Sequence, residues 1–163
     1  MADLRGMKQG EVRIAIGTSA EYFIPDVAGA FLAQYPEVDV RLEIANHEKM
    51  LERVEANRDD LYVMVSPPED PGIERIPYVE NPLAVIAPRA HPLTREKAIP
   101  IACISRERFI AREIGSRTHM RISRFMAEKG YQLDVRMEFG SNEAVKHAVA
   151  QGLRSASTAW RLV

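Results

Sequence analysis

The first part of the sequence alternates between strand-like and helix-like segments, and this alternation restricts the possible folds more than any other feature. Residues 11–17 and 38–44 carry apolar side chains at every second position, the period of a strand with one buried face. Residues 22–35 and 46–54 carry them at helical spacing. Residues 61–65 form an unbroken apolar run, typical of a strand covered on both faces. This order predicts an α/β fold with a largely parallel sheet.

A proline-rich segment, residues 66–72, is the strongest break in the chain. We therefore predict a linker remnant at residues 1–10, a first lobe at residues 11–70 and a second lobe at residues 71–163. The second lobe repeats the alternation, with predicted strands at 73–77, 83–87, 109–111 and 135–139 and predicted helices at 116–129 and 141–152.

The tail of the second lobe is atypical from residue 154 onward. A parallel α/β lobe requires a further strand after Gly152, but Arg154 to Thr158 is polar and small. Residues 160–163 are too short to replace it. We therefore predict that the second lobe lacks an expected strand and that the fold is incomplete at its C-terminal end.

Composition excludes several classes of protein. The net charge is −1, from 22 basic and 23 acidic residues, so the composition shows no basic excess of the kind that binds nucleic acid. The single cysteine, Cys103, is expected to be a small buried apolar residue and cannot form an internal disulfide. The sequence contains neither an apolar run of about 20 residues nor a secretory signal, so we expect a cytoplasmic protein without a membrane span.

Two turns from a strand into a helix carry hydroxyl side chains. The first contains Thr18 and Ser19, and the second contains Gly115, Ser116 and Thr118. Hydroxyls and unbonded N–H groups at a helix N-terminus favour an anion. The alternative, that each hydroxyl merely caps its helix, stays open.

Two other residues belong to the same prediction. Arg112 precedes the second turn and could supply a cation, and Ser66 could contribute from the end of the apolar strand.

We find no pattern that indicates an enzyme. The four histidines, at positions 47, 91, 119 and 147, show no metal-ligand spacing, and neither a glycine-rich phosphate loop nor a serine-nucleophile elbow is present. Asp59 and Asp60 are interpreted as a helix end leading into a strand, with metal binding as the less favoured alternative. We expect neither catalysis nor a bound metal or cofactor.

Several stretches resemble the effector-binding domain of LysR-type transcriptional regulators. The similarity is nearly continuous over residues 10–153 and is carried by residues 11–42, by the HPL at 91–93, by 109–121 and by 138–153. The DDLY run at 59–62, followed by the PPE at 67–69, resembles the branch that controls RuBisCO and bicarbonate-uptake operons.

The resemblance implies two Rossmann-like lobes joined by a hinge, similar to type 2 periplasmic binding proteins, with a small inducer in the cleft between the lobes. It implies anionic or phosphorylated effectors such as ribulose bisphosphate or phosphoglycolate, with a nicotinamide cofactor in some members. It also implies a homo-oligomer, and DNA binding only through an N-terminal helix-turn-helix. The family's ligand contacts fall on Thr18, Ser19, Ser66, Pro67, Gly115, Ser116 and Thr118.

The sequence departs from the family pattern at three places. Only residues 1–9 precede the first strand where the family carries its helix-turn-helix. Arg117 stands where the branch has glycine, and could bind a phosphate or crowd the cleft. The tail after Leu153 differs from the family's apolar strand. A transporter's solute-binding protein of the same fold is the alternative function, and a small α/β enzyme is a third.

Overall fold

The computed structural model describes residues 9–153 and 156–159. The chain divides into two compact units, Met1–Pro77 and Tyr78–Val163. This division falls after the boundary expected between residues 70 and 71. Among the described residues, no helix is both long enough and apolar enough to cross a membrane.

The first unit is the predicted α/β arrangement. It contains β1 (Gln9–Gly17), α1 (Ile24–Gln34), β2 (Glu37–Ala45), α2 (His47–Glu55) and β3 (Leu61–Val63). The three strands form a parallel sheet in the order β2-β1-β3. Strand β1 lies in the centre of the sheet. It is covered on both faces, since Ala15 and Ile16 are fully buried on opposite sides of it.

The face of helix α1 that packs on the sheet is not the face that carries its largest side chains. Ile24 is buried against Ile16 and Ala20, whereas Val27, Phe31 and Tyr35 are exposed. The helix begins at Ile24 because Pro25 is tolerated only in the first turn, where its missing N–H breaks no helical hydrogen bond. The other face of the sheet is covered by α2, whose Met50 is buried against Ala15 and Ala45.

In the described residues, the second unit contains a four-stranded sheet and two long helices. Its elements are β4 (Leu83–Ile86), the short helix α3 (Ile101–Ile104), β5 (Arg108–Arg112), α4 (Arg117–Glu128), β6 (Asp134–Phe139), α5 (Asn142–Ala150) and β7 (Ala156–Ala159). The sheet has the order β4-β7-β5-β6. Both β6 and β7 run parallel to β5, and β4 is antiparallel to β7. The core lies where Val145, Ala148 and Val149 of α5 pack on Ile110.

The prediction that the second unit lacks a strand after Gly152 is wrong. Strand β7 forms at Ala156–Ala159, pairs with all four residues of β4 and lies beside β5 at Ile110. Strand pairing uses backbone N–H and C=O groups, which a polar and small sequence supplies as well as an apolar one. The absence of an apolar run was therefore a poor guide to the backbone path.

Two other strand predictions need correction. Residues 73–77 form no strand; Pro71 lies just before this segment, Pro77 ends it, and Ile76 is 78% exposed. Proline has no N–H to donate to a ladder, which disfavours pairing at both ends of this segment. Residues 61–65 form a strand only as far as Val63. Within this strand, Tyr62 and Val63 are partly buried against the core clusters on the two opposite faces of the sheet, whereas Leu61 is 56% exposed.

Candidate anion-binding site

The turn between β5 and α4 has the geometry of a capped helix N-terminus. Gly115 has a φ of 90°, in the left-handed region that favours glycine. Ser116 is 3% exposed, and its Oγ accepts a hydrogen bond from the backbone N–H of His119 at 3.0 Å. The capping interpretation is therefore confirmed for Ser116. Thr118, in the first turn, is also buried.

Helix α4 differs from the other three long helices in the charge of its first turn. Helices α1, α2 and α5 carry Asp26, Glu48 and Glu143 there, whereas α4 has no acidic residue in its first turn and begins at Arg117. Acidic side chains normally offset the positive end of a helix dipole. The N-terminus of α4 therefore combines the helix dipole with a cationic side chain, and this positive potential suits an anion.

A second helix begins at the same edge of this sheet. Strands β5 and β6 are parallel neighbours, so α4 and α5 both start at the carboxyl ends of adjacent strands. Ser141 caps α5 by accepting a hydrogen bond from the N–H of Ala144 at 3.1 Å. The sequence alone does not place this cap next to the Ser116 turn, because nothing in the local pattern indicates strand order.

Arg112, which was predicted to contact the ligand, is 1% exposed. Its Nε and Nη2 lie 2.8 and 2.9 Å from the two carboxylate oxygens of Glu113. Its Nη1 donates to Asn142 Oδ1, and its Nη2 also reaches the carbonyl oxygen of Gly140 at 3.3 Å. The guanidinium is thus bound on several sides by protein groups.

The turn in the first unit has a different character. Thr18 and Ser19 follow β1, and the carbonyl of Gly17 accepts a hydrogen bond from the N–H of Ala20 at 2.8 Å. The N-cap of α1 is Phe23 and makes no side-chain capping bond, so the alternative that Thr18 caps this helix is wrong. Glu21 Oε1 is buried without a hydrogen-bond partner among the described residues. The Glu21 carboxylate lowers the positive potential at this turn.

Ser66 and Pro67 follow β3, as expected. Ser66 has a φ of 53°, a left-handed conformation that serine seldom adopts. Such strain costs on the order of 1–3 kcal/mol and is concentrated at functional sites. The backbone at Ser66 therefore agrees with a functional role for this position.

The two aspartates of the DDLY run make separate ion pairs inside the first unit. Asp59 binds Arg53 through two hydrogen bonds of 2.7 and 2.8 Å, and the Tyr62 hydroxyl accepts from Asp59 N and donates to Arg53 O, each at 2.9 Å. Within residues 9–153 and 156–159, no group of three His, Cys, Asp or Glu side chains could hold a metal ion. The contacts of Asp59 and Tyr62 with Arg53 join the end of α2 to β3.

Asp60 pairs with Arg13 of β1 at 3.2 Å and also accepts from the Arg13 backbone N–H at 2.9 Å. Hydrogen bonds from Arg13 hold the pKa of Asp60 below its usual value. The stabilisation from this pair is therefore present above the usual carboxyl pKa and is lost as the pH falls through the lowered value.

Two histidines of the second unit, His91 and His119, have structural contacts. His91 Nδ1 accepts from the backbone N–H of Leu93 at 3.3 Å, and its Nε2 lies 3.3 Å from Glu107 Oε2. The HPL is thus a turn stabilised by its histidine. His119 Nδ1 donates to the carbonyl oxygen of Arg112 at 2.8 Å. Cys103 is only partly buried, contrary to the expectation that it is a core residue.

Comparisons with known proteins identify the family. The LysR substrate binding domain matches residues 5–156. The transcriptional activator CmpR of Synechocystis sp. is 44% identical over 153 residues, and the RuBisCO operon transcriptional regulator of Acidithiobacillus ferrooxidans is 42% identical. Each match covers 94% of this chain but 50% of the relative, so the chain spans about half the length of these curated relatives.

Solved structures give the same answer. The regulatory domain of CcmR from Synechocystis PCC6803, solved in complex with 2-PG, superposes with a TM-score of 0.87 at 41% identity, over 93% of this chain and 73% of that one. The effector-binding domain of QuiR, at 15% identity and a TM-score of 0.79, supports the fold alone. This chain therefore belongs to the LysR substrate-binding domain family, together with regulators of RuBisCO operons.

Proposed function

We propose that this chain is the ligand-sensing domain of a LysR-type transcriptional regulator of carbon-fixation genes, and that it binds a small phosphorylated or anionic metabolite. The observation that carries the proposal is the N-terminus of α4, where the Gly115 turn, the Ser116 hydroxyl and Arg117 surround a helix end without an acidic side chain. The CcmR regulatory domain, 41% identical, was solved with 2-PG.

The chemistry of this turn suits a phosphate. Backbone N–H groups of a first helical turn have no intrahelical partner and point away from the helix toward an approaching oxyanion. The Thr118 hydroxyl belongs to the same first turn and can add a donor. Because β5 and β6 are parallel neighbours, α5 begins at the same sheet edge, but Glu143 in its first turn offsets the dipole of that helix.

Calorimetric titration with 2-phosphoglycolate tests the proposal. We expect saturable binding, and we expect Ser116→Ala to weaken it by roughly tenfold to a hundredfold, since a hydrogen bond to a charged group is worth about 1.5–3 kcal/mol. Thr18→Ala tests the turn in the first unit, and a smaller effect is expected there because of the nearby Glu21 carboxylate. Glycolate is the matched control ligand, because it lacks the phosphate and should not bind measurably.

Other ligand classes decide between the alternatives. Binding of a free amino acid or a neutral sugar, with no response to 2-phosphoglycolate or ribulose bisphosphate, would favour the solute-binding protein of a transporter.

Ser66→Gly is expected to separate folding from binding. Glycine adopts the left-handed conformation at Ser66 without strain, and this gain offsets its larger entropy in the unfolded chain. We expect the free energy of unfolding to stay within about 1 kcal/mol of wild type, while 2-phosphoglycolate binding weakens through loss of the hydroxyl. Urea unfolding and calorimetry measure the two effects. Unchanged affinity would remove Ser66 from the proposed site.

A further inference from the structure

We infer that Arg112 is a positioning residue, which holds the starts of α4 and α5 in a fixed arrangement and does not itself contact the ligand. This inference rests on the proposed function, because the turn that Arg112 orients is the proposed phosphate site. It assigns Arg112 a role different from the direct cationic contact that the sequence predicts.

The Arg112 side chain is buried and its donors are already hydrogen-bonded, so it is poorly placed to bind a ligand directly. Its side chain is 1% exposed, and Nε, Nη1 and Nη2 each donate to a protein oxygen. A buried guanidinium is costly unless its donors are satisfied, and this one is satisfied by Glu113 and Asn142. The Glu113 carboxylate also neutralises its charge, so little attraction for an anion is left at a distance.

The partners of Arg112 lie on both turns that lead into the helices. Glu113 begins the turn toward α4, and its backbone N–H donates to the carbonyl of Phe139 at 3.1 Å. Gly140 and Asn142 belong to the turn into α5, and Asn142 is fully buried. One guanidinium therefore bridges two segments that are 30 residues apart in sequence.

The backbone of Arg112 is connected to the capped turn as well. Its carbonyl oxygen accepts from His119 Nδ1 at 2.8 Å, and the backbone N–H of the same histidine is the group that Ser116 caps. Movement of Arg112 would thus be transmitted to Ser116 through His119 and Glu113. The planar fork of arginine makes this bridge possible, because lysine offers one nitrogen and cannot bind Glu113 and Asn142 in the same geometry.

Amide hydrogen exchange of the unliganded protein tests the positioning role without any ligand. We expect Arg112→Lys to speed exchange at the His119 and Ala144 amides, which the two helix caps protect, by about fivefold or more. The Lys49 amide, which Asn46 caps in the first unit, is the internal control and should be unchanged. Equal exchange in wild type and Arg112→Lys would overturn the inference.

Asn142→Leu tests the same bridge independently, and it can be measured even if Arg112→Lys does not fold. It removes the acceptor for Nη1 but keeps the Arg112–Glu113 pair. We expect faster exchange at Ala144, with a smaller change at His119. Exchange at Ala144 that matched wild type would overturn the bridge between the two helix starts.

Titration with 2-phosphoglycolate then separates positioning from direct contact. A positioning role predicts that Arg112→Lys weakens binding about tenfold, as expected for groups that orient a binding residue. It also predicts that Ser116→Ala costs less affinity in the Arg112→Lys protein than in wild type, since both changes act through one turn. A direct contact predicts instead that lysine retains most of the affinity and that the two effects add.

The failures of the two proposals can be told apart. Wild-type protein that does not bind 2-phosphoglycolate contradicts the proposed function, whereas the exchange measurements still decide whether Arg112 positions the two helix starts. Wild-type binding that Arg112→Lys leaves unchanged contradicts the positioning role alone.

Discussion

Replacing Ser116 with aspartate is expected to weaken binding of 2-phosphoglycolate by about a hundredfold or more while leaving the domain folded. The Oγ of Ser116 caps α4 through the N–H of His119, and aspartate is as good an N-cap as serine. A carboxylate at this position would face the phosphate directly. Two unit charges about 4 Å apart near a protein surface repel by about 4 kcal/mol, which is enough for this loss.

The matched control is Ser123→Asp on the same helix. Ser123 is exposed and lies two turns beyond the N-terminus of α4, so this variant has the same net charge as Ser116→Asp but keeps its carboxylate away from the turn. We expect at most a few-fold change in its affinity, decreasing with added salt. Calorimetry at two ionic strengths measures both variants. If Ser116→Asp and Ser123→Asp weakened binding equally, the phosphate site would not be at this turn.

Replacing Asp59 with asparagine is expected to reduce the free energy of unfolding by about 2–3 kcal/mol. The Asp59 side chain is 3% exposed and binds both Nε and Nη2 of Arg53. Breaking a fully buried ion pair costs about 3–5 kcal/mol. The lower value is expected here because Arg53 is partly exposed, at 22%, and water can hydrate it when its partner is lost.

The neighbouring Asp60→Asn is the control for this prediction. Asp60 pairs with Arg13 at the surface, where both side chains are nearly half exposed. Surface ion pairs are screened by water and contribute little, so a much smaller shift of the unfolding midpoint is expected. Urea unfolding followed by circular dichroism gives the midpoints, and amide exchange over residues 9–63 localises the effect. Equal losses from Asp59→Asn and Asp60→Asn would contradict the different burial of the two pairs.

These two aspartates show how much the sequence predicted. The DDLY run indicated the branch of the family and the end of a helix leading into a strand, and both are confirmed. It did not indicate that Asp59 binds Arg53 while Asp60 binds Arg13. Adjacent residues in an extended segment point to opposite sides, so their partners depend on which elements pack on each side.

In the candidate site, too, some features were predictable from the sequence and others were not. The cap at Ser116 was predictable, because a cap satisfies amides only three residues away. The burial of Arg112 was not, because Asn142 and Gly140 approach it only after β6 pairs with β5. Polarity also misled at β7, since strand pairing depends on the backbone and not on the side chains.

The alternation of strands and helices, the two strand-to-helix turns and the family were therefore determined by the sequence alone, because periodicity, caps and motif spacing are local properties of the chain. The tertiary structure decided the burial and the hydrogen-bond partners of the residues in those turns. It brought the N-termini of α4 and α5 to the same edge of the sheet, removed Arg112 from solvent and left Val27 and Phe31 of α1 exposed. These outcomes depend on contacts between segments far apart in the sequence, and no local pattern specifies such contacts.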